Sequence, residues 1–203
     1  MRLLKLGVVL AILCFSTMSF ASDLHFISTS NSWNGVASYP YNFTVDNNKT
    51  MDLMCVTYDL HISYGESWHA TSESVTAYGN DIGSVQVAKE MAWLFEGAIA
   101  NGGNPSSYNA AVWYLNQPST IDISGDPIAL SLVAQVQGMD FGNNNFHDVE
   151  VFVANGNTNG WTNGQPQTFF GDPPTATPEP STLLTLGTGL IGLAGLARKR
   201  LFS

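Results

Sequence analysis

Positive charge is scarce in this chain. Its 203 residues carry seven Lys and Arg against sixteen Asp and Glu, a formal net charge of −9. Five of the basic residues, Arg2, Lys5, Arg198, Lys199 and Arg200, lie at the two ends. The body keeps only Lys49 and Lys89 against sixteen acids, a net charge of −14. Phosphate binding needs Lys and Arg to neutralise backbone charge, so nucleic acid is excluded as a partner. Anionic lipid headgroups are disfavoured for the same reason. A surface this acidic suits solubility, cation binding or a hydrated matrix. Cysteine is almost absent, with only Cys14 and Cys55. No disulfide can form within the body, so Cys55 is a buried hydrophobe, an intermolecular link or a reactive group. The four histidines, His25, His61, His69 and His147, form neither HExxH nor a short ligand pair. A G-x-S-x-G elbow and a phosphate loop are also missing. No metal, cofactor or catalytic residue is expected, and the chain reads as a non-enzyme.

What is present lies first at the ends. Arg2 and Lys5 precede an apolar run from Leu6 to Phe15, and Ser19-Phe20-Ala21 offers small residues for cleavage. That is the layout of a secretory signal peptide over residues 1–21, cut by signal peptidase between Ala21 and Ser22. Leu13 stands before Cys14 where lipidation wants a small residue. At the other end, 171–180 is a Pro-rich linker containing Pro178-Glu179-Pro180. An uncharged run, 181–197, follows, and then the basic tail 198–203 with Arg198-Lys199-Arg200. The run meets the lower limit of about 17 residues for a membrane helix. The expectation is a single transmembrane helix, with the basic tail cytoplasmic.

This ordered trio of Pro-Glu-Pro, apolar run and basic cluster resembles the PEP-CTERM sorting signal of exopolysaccharide-producing Gram-negative bacteria. The resemblance implies that an exosortase, a membrane protease or transpeptidase, recognises the tail and processes it. The implied route is export, transient inner-membrane anchoring, then the cell surface or extracellular matrix. An ordinary anchor that is never cut has the same ingredients.

Residues 22–170 read as one extracytoplasmic domain. Leu24–Ser28, Tyr41–Val45, Met51–Leu60 and Ser74–Ala77 carry β-branched and aromatic residues between turn signals such as Asp46-Asn47-Asn48. Val87, Met91, Leu94, Phe95, Ala98 and Ile99 then fall at helical spacing, stopped by Asn101-Gly102-Gly103. Pro105 and Pro127 open two more helices. Strands return at Val149–Ala154 and Gln167–Phe170. The fold class expected is α+β: an antiparallel β-sandwich or barrel with an inserted group of about three short helices, plus the C-terminal membrane helix. Trp93 and Trp113 are expected in the core. His61, Glu66, His69 and Glu73, and the loop from Asp140 to Asp148, read as polar loop residues rather than ion sites.

Three segments of the body carry a second resemblance. Met54-Cys55-Val56-Thr57-Tyr58-Asp59-Leu60 is followed by Tyr108-Asn109-Ala110-Ala111-Val112-Trp113 and by Gly164-Gln165-Pro166-Gln167-Thr168-Phe169-Phe170. Over roughly Met51 to Phe170 the chain is similar to the thioester domains of Gram-positive surface adhesins. In that family a Cys thiol and a Gln side chain form an internal thioester that captures surface amines. The resemblance places the Cys at Cys55 and the Gln at Asn109, which is one methylene short. The pair therefore reads as degenerate, with a free thiol and no loss of ammonia. The function expected is a non-catalytic, exosortase-sorted surface or matrix protein associated with exopolysaccharide in a biofilm. The alternative is a thioester-domain-like adhesin for a surface or glycan, covalent only if Cys55 forms a thioester.

Overall fold

The computed structural model describes residues 21–46, 49–155 and 166–172. The chain divides into two units, Met1–Asp172 and Pro173–Ser203. The second lies wholly outside the described residues, as do the signal-peptide core and the sorting residues Pro178, Glu179, Pro180, Arg198, Lys199 and Arg200.

Alternation of apolar and polar residues drives the sheet. In β1 (Ala21–Trp33), Ser22, Leu24 and Phe26 turn inward, while Asp23 faces solvent. β1 is joined to β2 (Val36–Val45) through Asn34 and Gly35, both at positive φ (48° and 82°). An Asn-Gly pair of this geometry suits a tight hairpin, because its twist matches that of the strands. β3 (Lys49–Cys55), β4 (Ser67–Ser74), β5 (Glu150–Ala154) and β6 (Phe169–Gly171) complete a closed barrel in the order β1-β2-β3-β6-β5-β4. Every pairing is antiparallel. The barrel is filled by aromatics: Phe43 packs on Phe169 at 4.9 Å between ring centroids and on Trp68 at 5.5 Å. Gly171 has to be small, since a Cβ there would lie 2.6 Å from Leu53 and 2.7 Å from Phe152.

Four helices sit between β4 and β5 in the chain: α1 (Val75–Asp81), α2 (Val85–Asn101), α3 (Pro105–Asn116) and α4 (Pro127–Gln137). Side chains cap three of them. Ser74 accepts from the Ala77 amide, Ser84 from the Val87 amide, and Asp126 from the Ile128 and Ala129 amides. Each such cap satisfies a helix-end donor and is worth about 1 kcal/mol. Asp126 also accepts from the Trp33 indole at 2.8 Å, which ties α4 to the end of β1. Phe95 of α2 stacks on Phe170 of β6 at 6.1 Å, joining the helical layer to the barrel.

Several expectations are corrected. No helix among the described residues is long and apolar enough to cross a membrane. The transmembrane helix expected at 181–197, the cytoplasmic tail at 198–203 and the transient inner-membrane anchoring are withdrawn on that finding, and these residues lie outside the described ones. The run is also short for a membrane span. Seventeen helical residues rise only about 25 Å, against a hydrocarbon core of about 30 Å. The helical group has four members rather than three, because Ser74 ends β4 and caps α1 where β-branched Val75 and Thr76 suggested a strand. β3 stops at Cys55 rather than Leu60. Trp113 is fully buried, at 1% exposure, but Trp93 is only half-buried and Ile99 is 45% exposed.

Burial makes the fold sensitive to alkali. Tyr39 is pushed up to about 12 by burial, with smaller contributions from the negative charges of Asp52 and Asp172. Burial also raises Tyr41 and Tyr78. A group raised in the folded state stabilises it fully below its unfolded pKa, 10.0 for tyrosine, and that contribution is lost as pH rises through the folded value of about 12. The urea midpoint is expected to fall steeply between pH 10 and pH 12, and less steeply in Tyr39→Phe. An equal fall in both proteins removes Tyr39 as a cause.

Candidate functional site

The register of two strands builds the site. β6 pairs with β3 so that Phe169 lies opposite Cys55 and Phe170 opposite Met54. Thr168 extends this pairing by accepting from the Val56 amide at 2.9 Å. Gln167, two residues before Phe169, is thereby carried to the end of β3. Its Oε1 lies 3.1 Å from the Cys55 sulfur, across 112 residues of sequence. Its amide nitrogen donates to the Leu60 carbonyl. Cys55 is fully buried and Gln167 is 5% exposed.

The sulfur also lies 2.9 Å from the Thr57 carbonyl. A thiol has one proton, so it donates to one of these oxygens at a time. The Gln167 carbonyl carbon is one bond of about 1.2 Å from its contacting oxygen, which puts it in reach of a productive S···C approach of about 3–3.5 Å. Burial pushes the Cys55 thiol up to about 12, while the Trp113 indole and Thr57 pull it down and the charge of Asp59 adds to the rise. Beyond that sulfur, Nε1 of Trp113 and Oγ1 of Thr57 are buried with no hydrogen-bond partner. Two otherwise unused donors therefore face the atom whose negative charge most needs them.

Asn109 meets Cys55 through the backbone rather than the thiol. Its side-chain nitrogen donates to the Cys55 carbonyl at 2.8 Å, and its oxygen accepts from the Tyr39 amide at 2.8 Å. Further along α3, Asn116 donates to the Val56 carbonyl and Gln117 accepts from the Tyr58 amide. Asn109 and Asn116 of α3, with Gln117 just past its end, thus supply carboxamides that hold the end of β3 and the chain leaving it.

The other sequence candidates are scattered. Ala21 and Ser22 open β1, paired with Thr71 and Ala70. His69 pairs with Asp23 on the outer face of the sheet, and Glu66 accepts from the Ser63 amide. Asp140 and Asn144 cap backbone amides of their own loop. No cluster among the described residues could hold a metal ion. Gln167 is the residue that sequence reasoning passed over. Its signal was the quoted Gln-Pro-Gln-Thr-Phe-Phe segment, whose link to Cys55 exists only through the β3–β6 register.

Residues 176–200 match the family described as the PEP-CTERM protein-sorting motif, so that signal is present in the chain. Comparison with curated proteins and with solved structures finds no match.

Proposed function

We propose that the chain is an exported surface or extracellular-matrix protein, routed by an exosortase-type enzyme, non-catalytic and associated with exopolysaccharide. The sorting motif at 176–200 carries this reading. The acidic body supports it, since a net charge of −14 suits a hydrated polysaccharide matrix better than nucleic acid. Intact mass of the mature protein is the test. In cells with an active exosortase, the mature chain is expected to end near Pro178-Glu179-Pro180. A mature chain that still carries Arg198-Lys199-Arg200 refutes processing.

A second reading concerns what the exported body does. It is a covalent adhesin in which Cys55 and Gln167, rather than Cys55 and Asn109, form the thioester. The approach of Sγ to the Gln167 carboxamide supports it. The thiol adds to the Gln167 carbonyl carbon, the C–N bond breaks, and the thiol proton leaves with the nitrogen as ammonia. A primary amine then attacks the same carbon. An amide forms, and the C–S bond breaks to return the Cys55 thiol. Each molecule reacts once, so this adhesin is not an enzyme. The intact mass of the folded domain tests it.

A further inference from the structure

The bond expected to be cut on export lies at the start of a barrel strand. The ladder between β1 and β4 begins there, with Ala21 opposite Thr71, Ser22 opposite Ala70 and Asp23 opposite His69. The other edge is held as well. The Asp23 amide donates to Oδ1 of Asp46 at 2.9 Å, and the Asp23 carbonyl accepts from the Asp46 amide at 2.9 Å. Asp46 takes φ 51° where it makes this reciprocal pair, a left-handed geometry that Asp tolerates. Side chains add to the grip. Ser22 is 8% exposed, and Leu24, Trp68 and Ala70 around it are buried.

A peptide taken up in extended form gives its backbone N–H and C=O groups to the enzyme. In the folded domain both edges of the strand just after the Ala21–Ser22 bond are occupied, one by β4 and one by Asp46. Cutting there after folding requires β1 to peel back from β4. Before folding the bond is open. β4 begins only at Ser67 and β6 only at Phe169, so Ala21 and Ser22 emerge ahead of the partners that cover them.

We infer that closing the barrel locks the Ala21–Ser22 bond, so that signal peptidase has to act before β1 pairs with β4. The inference rests on the signal-peptide reading of residues 1–21. The step is amide hydrolysis: water adds across the C–N bond, leaving a carboxylate on Ala21 and an ammonium on Ser22. A precursor that folds first keeps its leader. Cutting of a folded strand follows the small population in which it is open, so the β1–β4 ladder sets the rate at which such a precursor is rescued.

The experiment uses the full-length precursor, unfolded in urea and then diluted. In one arm an excess of signal peptidase in detergent micelles is present at dilution. In the other the chain is refolded first and the same enzyme is added afterwards. Intact mass reports the chain that begins at Ser22. The refolded precursor is expected to be cut at least about 10²-fold more slowly. A flexible linker of about six Gly and Ser residues between Ala21 and Ser22 moves the bond off the ladder, and is expected to abolish the difference between the arms. Equal rates for the wild-type precursor in both arms overturn the inference. Protection that survives the linker overturns it too, because the ladder is then not the cause. No cutting after Ala21 even in the unfolded chain overturns the signal-peptide reading, and the inference with it.

Discussion

The folded wild-type domain is expected to weigh about 17 Da less than its sequence, the mass of the ammonia released when a thiol displaces a carboxamide nitrogen. Methylamine should restore the nitrogen and leave a methylamide on Gln167. Cys55→Ala and Gln167→Ala should each show no deficit and take up no amine. Two effects oppose each other here. A thiol held near 12 is ionised only about once in 10⁵ molecules at pH 7, and the thiolate is the nucleophile. Against this, the two groups are held in contact inside one fold, where effective molarities reach about 10⁵–10⁸ M. The Trp113 and Thr57 donors bias the balance further, because their only nearby use is a sulfur that becomes negative. Proximity therefore outweighs the scarcity of thiolate. Full-length mass with Cys55 recovered as a thiol after unfolding would falsify the thioester and leave Cys55 a packed core residue.

The second large effect falls on Asn109. Asn109→Ala is expected to destabilise the domain by about 2–6 kcal/mol, because it strands the Tyr39 amide and the Cys55 carbonyl, each costing about 1–3 kcal/mol when buried without a partner. That is a large part of the roughly 5–15 kcal/mol that holds a domain together. Asn109→Gln should also be destabilised, by about 1–3 kcal/mol, since a further methylene must enter a fully buried site. Denaturant midpoints give the answer. Neither variant loses the reacting pair, so any folded fraction should still show the mass deficit. An Asn109→Ala protein as stable as wild type would mean that water or a shifted α3 replaces both hydrogen bonds. Loss of the deficit in a stable Asn109 variant would return Asn109 to the reacting pair.

Much of the architecture was legible because it is local. Asn101-Gly102 stops α2 with Gly102 at φ 57°, and Pro105 and Pro127 open α3 and α4 at their first turns. β-Branched and aromatic residues between turn signals located β5 and β6 within two residues, but caught only Leu24–Ser28 of β1 and Tyr41–Val45 of β2, parts of longer strands. Where a local signal misled, a competing local signal had won. Val75 and Thr76 favour strands, yet Ser74 offers an oxygen to the Ala77 amide and the chain turns helical there. Part of the Trp93 surface stays accessible because the helical period places it beside, not on, the stripe of Met91, Leu94 and Phe95.

By itself the sequence determined the sorting motif at 176–200, the acidic body, the alternation of strands with a helical block, and the isolation of Cys55. Each follows from composition or from a period of two or 3.6 residues, which depends on neighbours in the chain. Only the tertiary structure decided what faces the thiol. Closing the barrel sets β6 against β3, and that register brings Gln167 to Cys55 and leaves Asn109 on the backbone. A one-residue slip would reverse which face each side chain takes. No local pattern encodes that choice, because the register is fixed by burying Phe169 and Phe170 against residues more than a hundred positions away.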